Sequence, residues 1–323
     1  MSSPSRLYDV ITMGETMMAF EAQAYGFLRE NVYFKKWIGG AEDNFIIGLA
    51  RLGFHCGWFS RLGQDEFGKE IFRTIRGEGV DVSRVIMDEE AQTGVFFVET
   101  HAGGDPGCYY YRQFSAASRL SPNDIDPDYI SRARVLYATG ITPALSESAR
   151  ETTEALFRLS KENNQLMIFD PNLRLKLWEI EEARKVLIPL MQNSAYILPG
   201  AEELRLLMDC ADLGEAIKKA HGLGMKRLII KKGKGGATIS VSNEQPIDIP
   251  GFLIENPVST MGAGDCFAAG FVAGLLTEQS LNECVRWGNA MGAFCLRSSG
   301  PYQALPDLEE LQRFLVGKDT VNR

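Results

Sequence analysis

Short apolar runs alternate along the chain with longer segments in which apolar residues recur at helical spacing. Apolar runs of this length, bounded by turn residues, are typical of buried parallel strands. Five such strands are predicted, at residues 10–13, 135–138, 166–169, 195–198 and 227–231. Amphipathic helices are predicted at residues 43–52, 66–78, 146–162, 179–191, 202–208 and 214–221. This succession predicts an α/β fold, a three-layer doubly wound and mainly parallel sheet with helices on both faces.

Two segments, residues 17–38 and 94–114, do not fit this alternation. In the second, aromatic and β-branched residues flank the turn Gly103-Gly104-Asp105-Pro106-Gly107, which predicts a β-hairpin. We expect one domain over residues 1–323, in which a small β lid, formed by about residues 15–40 and 93–115, closes over the strand ends. An exposed apolar strand layer would promote aggregation, so the outer face of the lid is also expected to pair with a second subunit, giving a homo-oligomer.

The amino-acid composition of the chain argues against some kinds of binding partner. A chain of 323 residues with 45% hydrophobic residues can bury a substantial core. Its net charge of −8 and its pI near 5.2 argue against nucleic-acid binding. No segment resembles a secretory signal or a membrane span, which predicts a cytoplasmic protein without a membrane partner. Six scattered cysteines and three scattered histidines predict free thiols, and no metal cage of protein nitrogen and sulfur.

The segment at residues 259–265 combines small residues with an acid at the start of a predicted helix. Gly262, Ala263 and Gly264 let backbone N–H groups approach a phosphoryl group, and the helix N-terminus adds unpaired donors and the positive end of its dipole. Asp265 then lies where it can take a proton from an attacking hydroxyl. A glycine turn with an aspartate N-cap is the alternative. Further small residues after Asp265 favour a tightly packed helix that fixes an anion site, and hence a kinase.

Three ordered blocks resemble signatures of the ribokinase/PfkB family of carbohydrate kinases and span nearly the whole chain. They are Gly39-Gly40-Ala41-Glu42-Asp43-Asn44, Arg61-Leu62-Gly63-Gln64-Asp65 and residues 259–272. Within the family, the chain most resembles the 2-keto-3-deoxygluconate kinases, through Tyr109-Tyr110-Tyr111-Arg112, residues 140–146 and Asp170-Pro171-Asn172-Leu173-Arg174 with Trp178. The resemblance implies a ribokinase-like fold and an ATP-dependent transfer to the terminal hydroxyl of that sugar acid, with Mg²⁺ bound largely through water.

Two arginines indicate an acidic substrate. Arg112 follows three aromatic residues in the predicted hairpin, and Arg174 follows a strand end and an Asp-Pro turn, so both are expected over one cleft. Two guanidinium groups suit a carboxylate, whereas a neutral sugar would not need them. Each has a structural alternative, Arg112 as a solvated hairpin charge and Arg174 as a partner of Asp170.

The family resemblance implies further contacts to the sugar acid. They are made by Gly40, Phe96, Tyr110 and Ile141, with Asn44 binding a hydroxyl. Phe96 and Ile141 are equally compatible with a place in the core.

A glycine-rich basic turn, Lys231-Lys232-Gly233-Lys234-Gly235-Gly236, ends one predicted strand. Lys231 could neutralise ATP phosphates, while Gly233 and Gly236 admit the backbone to the nucleotide. A solvated left-handed turn is the alternative. The resemblance adds Asn289 on the adenine side, with a capped or buried amide as its alternative, and Glu203 at magnesium-bound water.

Two positions depart from the pattern of the wider family, which commonly has Asn at Gly200 and Asp at Ser259. The second change is expected to affect magnesium affinity or the geometry of the helix and loop. A fructokinase or other neutral-sugar kinase is the alternative within the family, and a catalytically silent sugar-acid sensor is the alternative outside catalysis. A nicotinamide dehydrogenase is disfavoured because Gly14-Glu15, and no G-x-G-x-x-G, follows the first strand.

Overall fold

The computed structural model describes residues 6–101 and 107–317. Its strands are β1 (Tyr8–Met13), β2 (Met17–Ala22), β3 (Phe34–Gly39), β4 (Cys56–Phe59), β5 (Arg61–Gly63), β6 (Ile86–Asp88), β7 (Val95–Glu99), β8 (Gly107–Tyr111), β9 (Ala133–Thr139), β10 (Leu166–Asp170), β11 (Tyr196–Ile197), β12 (Arg227–Lys231), β13 (Ala237–Val241) and β14 (Ile247–Ile249). Its helices are α1 (Ala41–Arg51), α2 (Glu66–Gly77), α3 (Pro127–Ser131), α4 (Glu147–Glu162), α5 (Ile180–Gln192), α6 (Ala201–Met208), α7 (Leu213–Gly222), α8 (Ala263–Leu276), α9 (Leu281–Cys295) and α10 (Leu308–Leu315).

An eight-stranded sheet with the order β14-β13-β12-β11-β10-β9-β1-β4 forms the middle layer. Strands β4, β1, β9, β10, β11 and β12 pair in parallel, and β13 and β14 continue the sheet in antiparallel pairs. The five predicted strands are therefore all present and occupy consecutive places from β12 to β1. This mostly parallel sheet, covered by helices, confirms the predicted fold class.

Successive strand residues point to opposite faces and so build two cores. Val10 and Val135 pack on the face covered by α1, α8 and α9, whereas Ile11 and Leu136 pack on the face covered by α4 to α7. The six predicted helices are present, each with ends within two residues of those expected. Serine and aspartate caps set some of these ends, as at Ser146, whose hydroxyl accepts the N–H of Ala149 at 3.0 Å.

Helices α8 and α9 pack with their backbones in close contact. A Cβ added to Gly270 would lie 2.4 Å from the carbonyl oxygen of Trp287, and one added to Gly274 would lie 2.7 Å from the Cα of Cys284. The small residues that follow Asp265 in the sequence are therefore required for this packing, which holds the N-terminus of α8 in place.

A second, four-stranded sheet with the order β3-β2-β7-β8 contains both segments that did not fit the alternation. Strands β7 and β8 form the predicted antiparallel hairpin, and β2 joins it through a parallel pairing with β7. The turn residues from Gly103 to Pro106 lie outside the described residues. Among the helices that the structure describes, none is long and apolar enough to cross a membrane.

Candidate active site

Asp265 lies in the first turn of α8, at the end of the glycine turn. Gly262 is the N-cap, with a φ of 76° that favours glycine, and a Cβ there would lie only 2.4 Å from the Cβ of Pro301. Asp265 is thus the third residue of the helix, and the alternative of an aspartate N-cap is wrong. The N–H of Ala263 donates to the carbonyl of Thr260 at 3.4 Å, and the next N–H groups of the first turn are left available to an anion.

Two asparagine amides orient the Asp265 carboxylate. The Nδ2 of Asn44 donates to Oδ2 at 3.0 Å, and the Nδ2 of Asn172 donates to Oδ1 at 3.2 Å. Burial raises the pKa of Asp265 above its ordinary value, against the hydrogen bond from Asn44 and the positive charges of Arg174 and Lys231. A raised pKa makes the carboxylate a better proton acceptor, which suits a general base.

Sequence reasoning missed the role of Asn172. It lies two residues after the end of β10, and its φ of 39° places it in the left-handed region that asparagine tolerates better than most residues. Its backbone N–H donates to the Oδ1 of Asp170 at 3.1 Å, which fixes the loop and turns the amide towards Asp265. An asparagine two residues after a strand-ending aspartate was the signal that could have identified it.

One cleft of about 1370 Å³ lies between the second sheet and the carboxyl ends of the main sheet. Asp265 and Gly262 line it together with all seven residues predicted to bind the sugar acid: Gly40, Asn44, Phe96, Tyr110, Arg112, Ile141 and Arg174. The ring of Tyr110 stacks on that of Phe96 with 5.4 Å between their centroids, and Trp37 packs edge-on against Phe96 at the same separation. The second sheet therefore supplies an aromatic wall to the cleft.

Asn44 has one hydrogen-bonding atom left over. Its Nδ2 is taken by Asp265, but its Oδ1 is buried and has no hydrogen-bond partner among the described residues. Buried acceptors are normally satisfied, so this oxygen fits a hydroxyl donor from a ligand.

The two arginines are in different electrostatic states. The side chain of Arg174 is 48% exposed, and its nearest carboxylate oxygen is that of Glu203 at 3.9 Å. The side chain of Arg112 is only 10% exposed, and it forms an ion pair with buried Glu15. Neither structural alternative is correct, because Arg112 is not solvated and Asp170 pairs with Lys231 instead of Arg174.

Lys231 lies beside the turn at residues 259–264, which is called the anion turn below. Its ammonium pairs with the buried carboxylate of Asp170, and a Cβ added to Gly264 would lie 3.2 Å from its Nζ. Burial disfavours the charged lysine, but the carboxylates of Asp170 and Glu203 outweigh that effect and raise the pKa of Lys231. A positive charge is therefore held next to the N-terminus of α8.

The other residues predicted to bind the nucleotide lie away from the cleft, around the end of β12. Gly233 and Gly236 have φ values of 56° and 82°, and a Cβ on Gly236 would lie 2.1 Å from the carbonyl oxygen of Ile249. The amide of Asn289 donates to the carbonyl oxygens of Ile249 and Pro250, at 3.3 and 3.0 Å. Asn289 is thus a buried amide that anchors the segment after β14 against the turn at residues 233–236.

The carboxylate of Glu203 caps its own helix, since Oε2 accepts the N–H of Gly200 at 2.8 Å. Ser259 also has a local role, with its hydroxyl accepting the N–H of Met261 at 3.2 Å in the anion turn. Across the described ranges, no group of three or more His, Cys, Asp or Glu residues could hold a metal ion. The carboxylate of Glu203, whose side chain is 22% exposed, can accept hydrogen bonds from magnesium-bound water.

A model of the pfkB family of carbohydrate kinases matches residues 8–308. The chain belongs to this family. Among curated pfkB relatives, it is 37% identical over 324 residues to the 2-dehydro-3-deoxygluconokinase of Bacillus subtilis (strain 168), with 98% of each chain covered. It is 33% identical over 314 residues to the 2-dehydro-3-deoxygluconokinase of Thermoproteus tenax, with 96% of this chain and 94% of that protein covered.

Solved structures of similar proteins agree with the pfkB assignment. The PfkB protein from Polaromonas sp. JS666 has a TM-score of 0.85 and 35% identity, covering 94% of this chain and 99% of that one. A putative ribokinase II from E. coli, solved in complex with ATP and Mg²⁺, has a TM-score of 0.90 and 26% identity, covering 96% and 100%. The expected family and its ribokinase-like fold are thereby confirmed.

Proposed function

We propose that this pfkB kinase transfers the γ-phosphoryl group of ATP to the terminal primary hydroxyl of 2-keto-3-deoxygluconate. The observation that carries the proposal is one cleft that holds a buried base, Asp265, together with two guanidinium groups, Arg112 and Arg174. The 37% identity over the full length to a protein named 2-dehydro-3-deoxygluconokinase supports the same substrate.

Asp265 accepts the proton of the substrate hydroxyl as its oxygen attacks the γ-phosphorus. An oxygen–phosphorus bond forms, the bond from the γ-phosphorus to the bridging oxygen of ATP breaks, and ADP leaves with that electron pair. Asn44 and Asn172 hold the carboxylate, so its remaining lone pairs face the cleft. The free Oδ1 of Asn44 accepts a second sugar hydroxyl, which orients the reacting one.

The backbone amides of Gly262, Ala263 and Gly264 stabilise the charge on the phosphoryl group during transfer. One well-placed donor of this kind contributes about 3 kcal/mol to transition-state stabilisation. Lys231 adds a fixed positive charge beside Gly264. When Mg²⁺ is bound with ATP, it neutralises phosphate charge, and Asp170 and Glu203 are the carboxylates next to Lys231 that would hold its waters.

Arg174 supplies most of the attraction for the substrate carboxylate, because it is the arginine without a close ion pair. Arg112 presents its remaining donors beside the aromatic wall. Its pairing with Glu15 is the one observation that favours a neutral sugar, since it removes a net positive charge from the cleft. A neutral-sugar kinase is therefore the second candidate.

An ADP-release screen of the purified protein tests the proposal directly. The substrates are 2-keto-3-deoxygluconate, its galactonate-derived epimer, neutral hexoses, pentoses and nucleosides, each with MgATP. We expect the highest kcat/KM with the keto acids. Faster turnover of a neutral sugar would identify the second candidate, and ADP release with none of them would identify a silent sensor.

We expect Arg174→Ala to raise the KM for the keto acid by about 10- to 100-fold, the effect of losing a hydrogen bond between charged groups. The KM for ATP and the turnover of any neutral sugar should change little, because Arg174 faces the sugar side of the cleft. Steady-state kinetics with both substrates varied would measure this. An equal rise in KM for acid and neutral sugars would remove the carboxylate from the proposal.

The second sheet is proposed to serve as the lid of a single kinase domain and as a dimer interface. Its flanking loops expose large side chains that do not line the cleft, among them Tyr33 and Phe114. Pairing of this face with a second copy would bury them. A monomer in sedimentation at micromolar concentration, or unchanged hydrogen exchange at residues 107–114 on adding sugar and a nonhydrolysable ATP analogue, would contradict the proposal. We also propose a cytoplasmic location, which the six free thiols support.

A further inference from the structure

Glu15 is a buried carboxylate at the junction of the two sheets. It lies in the connection from β1 to β2 and is only 2% exposed. Its Oε1 accepts the hydroxyl of Ser115, and its Oε2 pairs with the guanidinium of Arg112. Arg112 directly follows β8 and Ser115 lies three residues further on, so one carboxylate ties the segment after β8 to the end of β1.

A third strand meets the same point. A Cβ added to Gly94, the residue before β7, would lie 2.8 Å from the Oε1 of Glu15 and 3.4 Å from the Cβ of Arg112. The carbonyl of Gly94 accepts the N–H of Met18 in β2 at 3.1 Å. Glu15 therefore occupies a closely packed site where β2, β7 and β8 leave the main body of the protein, and its side chain has little room to adopt another position.

Arg112 retains donors for a ligand while it is paired with Glu15. Its Nε is buried and has no hydrogen-bond partner among the described residues. Its guanidinium carbon lies 5.8 Å from the centroid of the Tyr110 ring, in the wall of the cleft. A planar guanidinium that is held at one edge presents its other donors in a fixed direction, so less side-chain entropy is lost when a ligand binds.

We propose that Glu15 is a positioning residue for substrate recognition: it fixes the guanidinium of Arg112 so that the free donors of Arg112 meet the carboxylate of the sugar acid. The inference rests on the proposed function, in which that carboxylate lies beside Arg112. Glu15 touches the substrate at no point and acts only through Arg112. Its charge also compensates a guanidinium that would otherwise be buried alone.

A double-mutant cycle tests this inference, with Glu15→Gln, Arg112→Gln and the double variant. Glutamine keeps the shape of Glu15 and an oxygen beside Arg112 but removes the negative charge, so the ion pair that holds the guanidinium is lost. We therefore expect Glu15→Gln to raise the KM for the keto acid about fivefold to tenfold, with kcat and the KM for ATP changed by less than about threefold. In the Arg112→Gln background, the Glu15 change should have no further effect.

Glu99→Gln is the matched control, because Glu99 is a buried glutamate of the same sheet that accepts the N–H of Leu28 and does not line the cleft. It should leave the KM for the keto acid unchanged, and thermal unfolding would show that all variants are folded. Additive effects of Glu15→Gln and Arg112→Gln, or an equal loss of kcat, would overturn the inference. An inactive wild type would defeat the proposed function instead, so the two failures are distinguishable.

Discussion

The proposed sugar half and the proposed nucleotide half of the site are built from different parts of the chain. On the sugar side, side chains from α1, the second sheet and the loop after β10 converge on one cleft. Two polar atoms there, the Oδ1 of Asn44 and the Nε of Arg112, have no hydrogen-bond partner among the described residues. On the nucleotide side, the polar side chains are already used, with Lys231 on Asp170 and Asn289 on two backbone carbonyls. A phosphate bound there would meet the backbone N–H groups at the start of α8 and the positive charge of Lys231.

Under the proposed function, this difference separates sugar specificity from phosphoryl transfer. A side chain with a free donor or acceptor discriminates between ligands, because a ligand that fails to pair with it leaves a buried polar group unsatisfied. A turn of backbone N–H groups with a fixed lysine binds any phosphate. Substitutions on the sugar side should therefore alter which sugar is used, whereas those on the nucleotide side should alter folding and ATP use.

Asp265 lies where the two halves meet, and its substitution should have the largest effect. We expect Asp265→Asn to lower kcat by about 10²–10⁴, because an amide cannot accept the hydroxyl proton. ATP binding, measured by calorimetry, should be nearly unchanged, since the turn and its backbone donors remain.

Asp43→Asn is the matched control for this variant. Asp43 is a buried aspartate like Asp265, but it lies on α1 and does not line the cleft. It should change kcat by no more than about tenfold, well below the loss of a general base. A turnover of Asp265→Asn within threefold of wild type would show that another group is the base.

The fold was predictable because its signals are local. Strands such as β9 and β10 are uninterrupted apolar runs, and helix ends such as that at Ser146 carry their own capping residue. The edge strands β4 and β14 were missed because they have only four and three residues, and tertiary pairing decides their state. Strand β13, which joins β14 to the sheet, was missed as well.

Site residues were predictable where the residue type and its neighbours in the sequence carry the signal, and not where tertiary contacts decide. Asp265 and Arg174 line the cleft as expected, because an acid after a glycine turn and an arginine after a strand end are visible in the sequence itself, and their roles stay predictions. The partner of Arg112 was not identified from the sequence, because its pairing with Glu15 depends on how the two sheets meet. The family resemblance implied a role for Asn289 at the nucleotide. The structure shows its amide bonded to the carbonyl oxygen of Pro250, and the role at the nucleotide stays a prediction.

The nucleotide half should respond first through stability. We expect Lys231→Met to lower the free energy of unfolding by about 3–5 kcal/mol, because it leaves the fully buried Asp170 without its counter-charge. The double variant Lys231→Met, Asp170→Asn should recover most of this loss in urea unfolding, while its kcat stays low without the charge beside Gly264. A stable single variant would show that the pair is not coupled.

The buried acids beneath the sugar half should make stability depend on pH. Burial raises the pKa of Glu42 from 4.5 to about 7, against hydrogen bonds from Thr139 and Thr142. The folded state thus keeps a proton that the unfolded chain releases, so this contribution to stability is complete below pH 4.5 and is lost as the pH rises through 7. The loss amounts to about 3 kcal/mol.

Glu42→Gln keeps both hydroxyl partners and removes the titration, so we expect its free energy of unfolding to fall less than that of the wild type between pH 5 and pH 8. Urea unfolding at several pH values would measure the difference. Glu66→Gln, at a fully exposed position on α2, is the control and should leave the wild-type slope unchanged. The same slope in Glu42→Gln as in the wild type would show that Glu42 is ionised throughout this range.

The smallest effect should come from the anchor of the nucleotide turn. Asn289→Ala removes two hydrogen bonds to the carbonyls of Ile249 and Pro250, which releases the segment packed against Gly236. We expect the KM for ATP to rise about threefold to tenfold, in line with a net contribution of about 1 kcal/mol for a hydrogen bond, while the KM for the sugar acid stays constant. Asn193→Ala, which removes an asparagine bond to a carbonyl at the end of α5, should change neither KM. If Asn289→Ala raised both KM values equally, the two halves of the site would not be separable, and the division between side-chain specificity and backbone phosphate binding would have to be abandoned.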